Sequence, residues 1–91
     1  MYSVSTNATM IFLTLFTLAE KRIIDRFEVR IDKNTLGVPA FKVTKNYKEY
    51  IIEPNLRTYG VYDYDDYYGG YGLPLYEGDT FEVANYFKGL A

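Results

Sequence analysis

Apolar residues recur at helical spacing over residues 7–25. Ile11, Phe12, Leu15, Phe16, Leu18, Ala19 and Ile23 fall on one broad face, and Asn7, Thr9, Thr14, Thr17, Glu20, Lys21 and Asp25 on the other. Met10, Leu13 and Ile24 depart from that division, which predicts a helix covered on more than one side. Ser5, Thr6 or Asn7 can cap its start. The three threonines lower helix propensity slightly, so a strand is the alternative. The period then changes to two. Phe27, Val29 and Ile31 point one way and Glu28, Arg30 and Asp32 the other, as in a half-buried strand. A loop follows over 33–39, where Asn34, Gly37 and Pro39 gather. Phe41 and Val43 alternate with Lys42 and Thr44 in a second strand. Lys45-Asn46 suits a hairpin turn, and 47–53 returns as a third strand ended by Pro54-Asn55.

Residues 56–64 read as a fourth strand, with Gly60 marking a bulge or a close approach of another group. Gly69, Gly70, Gly72 and Pro74 make 65–74 a loop. Asp79 and Glu82 stand at capping-box spacing, and Gly89 can close a helix over 80–88 with Phe81, Ala84, Phe87 and Leu90 as its buried stripe. A strand over the same residues is the alternative. The predicted order is an N-terminal helix, an antiparallel sheet of three to four strands, an acidic Tyr-rich loop and a short C-terminal helix. This is an α+β layer fold in a single domain spanning 1–91.

Composition narrows the chemistry. The chain has no Cys, which removes disulfides and thiolate metal sites; a secreted chain this small would often need such staples, so a cytoplasmic location is expected. It has no His, the commonest general base near neutral pH and the commonest metal ligand. No phosphate-cradling glycine motif is present, and Ser3 and Ser5 have no His to activate them. An enzyme is not expected, nor is a cofactor. The apolar run 10–19 is too short to span a bilayer, and no Lys or Arg precedes it as a secretory signal would require. No membrane association is expected.

Charge is unevenly distributed. Residues 1–57 carry nine Lys/Arg against six Asp/Glu, whereas residues 58–91 carry Lys88 against six carboxylates. No positive side chain occurs over 58–87. Within that stretch Tyr59, Tyr62, Tyr64, Tyr67, Tyr68, Tyr71 and Tyr76 lie in eighteen residues, interleaved with Asp63, Asp65 and Asp66. Tyr supplies rigid contact area with a hydrogen-bonding tip, and adjacent carboxylates steer Lys/Arg-rich partners. Tyr59, Tyr62, Asp63, Tyr64, Asp65, Asp66, Tyr67, Tyr68, Tyr71, Glu77 and Asp79 are therefore the candidate partner-binding residues. The bland alternative is a strand edge followed by a solvated acidic turn. The carboxylates fit no EF-hand frame: counted from Asp63, the Gly position holds Tyr68 and the Glu position Pro74. No metal site is expected. Arg30, Lys42, Lys45 and Lys48 can share an outer sheet face, but the tyrosines are set among acids rather than cations, which argues against direct nucleic-acid binding.

In size and composition the chain resembles the small inhibitor proteins encoded by phages and mobile elements, such as anti-CRISPR proteins, and bacterial immunity proteins that neutralise nuclease toxins. That resemblance implies an acidic surface acting as a nucleic-acid mimic. The partner would be a basic, nucleic-acid-binding protein, blocked in a stoichiometric complex by a monomer or homodimer. The alternative is a structural or assembly protein that packs against other copies through its tyrosine cluster.

Overall fold

The computed structural model describes residues 4–30, 39–55, 57–70 and 72–90. Helix α1 (Val4–Glu20) is followed by strands β1 (Arg26–Arg30), β2 (Ala40–Lys45), β3 (Lys48–Pro54) and β4 (Tyr59–Asp63). Helix α2 (Tyr64–Gly69), strand β5 (Tyr76–Gly78) and helix α3 (Thr80–Gly89) complete the chain. The strands form one antiparallel meander in the order β1-β2-β3-β4-β5, one strand more than the upper expectation. The mixed α+β class agrees with the sequence. Most of the loop expected over 33–39 lies outside the described residues, as do Ile31, Leu56 and Tyr71.

Register sorts the side chains. Phe27, Val43, Tyr50, Ile52 and Val61 share the sheet face that receives α1 and α3. From α1 come Ala8, Ile11, Leu15 and Leu18, and from α3 Val83 and Phe87. Each fully buried Val, Leu, Ile or Phe side chain among them stabilises the fold by about 1.5–3 kcal/mol. Tyr50 meets Phe87 edge-on, with ring centroids 5.4 Å apart.

Three expectations are corrected. Helix α1 ends at Glu20 rather than near residue 25. Arg22 takes a left-handed conformation (φ 60), the Ile23 N–H bonds the Leu18 carbonyl (2.9 Å) and the Arg22 N–H bonds that of Ala19 (3.1 Å). This is a Schellman closure with Arg in the place usually held by Gly. Phe12 and Phe16, expected in the buried face, are 41% and 53% exposed. A helix lying on one flat sheet can bury only the narrow stripe of Ala8, Ile11, Leu15 and Leu18. In α3 the buried pair is Val83 and Phe87, while Phe81 is 72% exposed, because the first turn rotates it away from the sheet.

The turn between β2 and β3 is Asn46-Tyr47, displaced by one residue from the expected pair. Both residues have positive φ (51 and 66), as a two-residue type I′ hairpin requires. In α3 the capping box is present. The Asp79 carboxylate accepts from the Glu82 N–H (2.8 Å), and the Glu82 carboxylate accepts from the Asp79 N–H (3.0 Å).

Candidate functional site

The tyrosine–aspartate segment folds back over the second face of the sheet as α2, in place of the expected loop. Asp63 starts this helix, its carboxylate accepting from the Asp66 N–H (3.2 Å), and Gly70 ends it in a left-handed conformation (φ 85). Asp65 and Asp66 lie in the first turn, where carboxylates favour the helix dipole. Tyr64, Tyr67 and Tyr68 follow i, i+3, i+4 spacing and so share one side of the helix. That side faces β3 and β4, against which α2 packs. Asp65 and Asp66 are left exposed on the other side.

The tyrosine rings form a connected plate. Tyr62 lies 5.3 Å from Tyr67, Tyr67 5.1 Å from Tyr68, and Tyr68 4.9 Å from Tyr64, all tilted or edge-on. Such pairs each add about 0.5–1.5 kcal/mol beyond area burial. The Tyr67 hydroxyl donates to the Glu53 carboxylate at 2.6 Å. Burial, followed by this hydrogen bond and the Glu53 charge, raises the Tyr67 phenol well above the usual tyrosine range. Burial also raises that of Tyr62, with Glu53 and Glu77 adding to the shift. Gly60 is the close approach expected from its position. The β3–β4 register runs through it unbroken, and a Cβ there would stand 2.8 Å from the Tyr62 ring.

Two cations of this face, Lys42 and Arg30, are engaged beside the plate, and Arg26 lies exposed farther along β1. The Lys42 ammonium bridges Glu49 at 2.7 Å and lies 4.9 Å from the centre of the Tyr64 ring. The hydrogen bond to Glu49 holds its pKa above the ordinary lysine value against the opposing effect of burial. Arg30 lies 5.6 Å from the Tyr68 ring and 3.6 Å from Glu28. Lys45 and Lys48 do not join them. Lys45 donates to the Ile23 carbonyl behind α1 (2.7 Å), and Lys48 lies 5.5 Å from the Tyr50 ring on the helix-covered side. The four cations thus form no common basic face.

The candidate residues separate into groups. Tyr62, Tyr64, Tyr67 and Tyr68 assemble on the second face, with Asp65 and Asp66 above them and Glu77 near enough to Tyr62 to shift its phenol. Tyr59 is a core residue, 2% exposed, whose hydroxyl accepts from Thr80 (3.1 Å). Asp79 is committed to capping α3 at the opposite end of β4, roughly 13 Å along the strand from Asp63. Tyr71 lies outside the described residues. Glu53 belongs to the site although the sequence did not single it out. Its signal is the alternation of Glu49, Ile51 and Glu53 along β3, which places all three on this face.

Among the described residues no group of three or more His, Cys, Asp or Glu is spaced to hold a metal ion, and no helix is long and apolar enough to cross a membrane. Compared with known proteins, the chain matches no family model, no curated protein and no solved structure.

Proposed function

We propose that this protein is a small, non-catalytic inhibitor that binds a basic, nucleic-acid-binding enzyme through the α2 face and blocks access of nucleic acid to it. The observation that carries the reading is the layering of this face. Lys42 and Arg30 are paired beside the tyrosine rings, and the charges left exposed on α2 are the carboxylates Asp65 and Asp66. With Glu77 beside the plate, they present negative charge on a firm aromatic support. A groove that holds phosphate by Lys and Arg would meet carboxylates in place of phosphates and ring faces between them. The contact area would supply most of the affinity and the carboxylates the rate of encounter. The tyrosines are spent largely on one another and on the sheet, so packing between copies through this cluster draws no comparable support.

The test is capture of the partner from cells of the source or its host, followed by titration of the purified pair. The double variant Asp65→Asn/Asp66→Asn leaves the Asp63 cap in place, so α2 keeps its fold. Binding is expected to weaken about tenfold in the variant at low salt, to weaken with added salt in the wild type, and to compete with nucleic acid. Equal binding by both proteins, insensitive to salt, would refute the reading.

A further inference from the structure

The outer face of α1 carries a second, independent message. From the start of the helix to Ala19 there is no charged residue. With Ile11, Leu15 and Leu18 against the sheet, the opposite side presents Met10, Leu13 and Phe16, at 44, 60 and 53% exposure. Two of the threonines beside this face bond to their own helix: the Thr14 hydroxyl donates to the Met10 carbonyl (3.0 Å) and that of Thr17 to the Leu13 carbonyl (3.1 Å). Their hydrogen-bonding capacity is thereby met within the helix. Phe12 and Val29 extend the apolar surface down to a shallow groove bounded by Pro39 and Phe41. An uncharged surface that exposes Met10, Leu13, Phe16, Phe12 and Val29 together is of the kind that a partner covers.

We infer that this face is covered by the same face of a second copy, in a twofold-symmetric dimer with the two α1 helices antiparallel. Three observations select a second copy over other occupants. The first is symmetry. Met10 and Phe16 lie three residues either side of Leu13, so a twofold axis at Leu13 sets Met10 of each copy against Phe16 of the other and Leu13 against itself. The second is charge. Helix α1 has no acidic residue in its first turn and no basic residue in its last, and it ends instead on Glu20. Glu20 opposes the dipole of its own helix but, in the antiparallel pair, lies beside the positive first turn of its partner. The third is area. The exposed parts of Met10, Phe12, Leu13, Phe16 and Val29 amount to roughly 500 Å², so two copies covering them fully would remove roughly 1,000 Å² from water, the size of a small biological interface. An anionic lipid surface fits less well, because this face of α1 offers no cation.

Because the chain has no cysteine, a single introduced one reports directly on the geometry. At the crossing of two helices packed 8–10 Å apart, facing Cα atoms come within disulfide range, on the order of 4–6 Å. Under mild oxidation Leu13→Cys is expected to form a disulfide-linked dimer at least tenfold faster than Tyr47→Cys, which sits fully exposed at a hairpin tip. Sedimentation equilibrium should give a dimer for the wild type and a monomer for Leu13→Glu, with unchanged far-ultraviolet circular dichroism. Equal cross-linking at positions 13 and 47, a monomeric wild type, or a wild-type monomer that co-sediments with phosphatidylglycerol vesicles would each overturn the inference. None of these variants touches Asp65, Asp66 or the tyrosine plate, so failure here leaves the inhibitor reading intact, and the reverse also holds.

Discussion

A methyl group at position 60 would have nowhere to go. Gly60 is buried in the middle of β4, and the Tyr62 ring folds back over it. Gly60→Ala should therefore push Tyr62 off its contact with Tyr67 and lower stability by about 1–3 kcal/mol, read as a lower urea midpoint with an unchanged slope. Two other positions run the opposite way. Arg22 and Tyr47 hold left-handed backbone conformations without being glycine. That conformation costs an L-residue about 1–2 kcal/mol, part of which glycine returns through its greater freedom in the unfolded chain. Arg22→Gly and Tyr47→Gly should each raise stability by about 0.5–1 kcal/mol, measured by the same urea titration. Tyr47 makes no packing contribution that would oppose the gain, since its side chain is fully exposed.

Helix α2 depends on its contact with the sheet more than on its own residues. Tyr, Asp and Gly are weak helix formers, and six residues are too few to hold a helix alone. The Tyr67–Glu53 hydrogen bond anchors it, so Tyr67→Phe should cost about 1–2 kcal/mol. The loss should appear as faster amide exchange in α2 while the β2–β3 core stays protected. This dependence also explains what was legible in the sequence. Alternation in β1 to β3 and the Asp79–Glu82 capping box are local signals, and both correspond to observed elements. The loop expected over 65–74 rests on Gly69, Gly70, Gly72 and Pro74 alone; Tyr64, Tyr67 and Tyr68 after Asp63 stand at helical spacing, which does not enter that expectation. Nothing local shows that Glu53 waits on another strand to receive the Tyr67 hydroxyl. The three residues of β5 are too short to carry a period of their own, and they form a strand because β4 offers an open edge. The end of α1 was hidden for the same kind of reason, since its closing residue is an Arg and not the Gly or Asn that ordinarily marks a stop.

Across the molecule, tyrosine ionisation links both layers to pH. Burial raises the phenol pKa of Tyr50, Tyr59 and Tyr86 on the helix-covered side and of Tyr62 and Tyr67 on the other. In the unfolded chain these groups would ionise near pH 10. A pKa raised on folding means that, above that pH, the folded protein holds protons which the unfolded chain releases. The stabilisation is thus complete below about pH 10 and is lost as the pH climbs from there toward the folded-state values. The expected result is a urea midpoint that is flat, as far as tyrosine is concerned, between pH 8 and 9.5 and falls steeply above about pH 10. Tyrosinate absorbance of the buried set should rise together with the loss of the fold, above about pH 10. Tyr67→Phe should start from lower stability but lose it less steeply, because the phenol held furthest above its ordinary pKa has been removed. A midpoint that declined equally in both proteins would mean that Tyr67 is not held protonated by the sheet. The packing of α2 against Glu53, on which the acidic face rests, would then have to be redrawn.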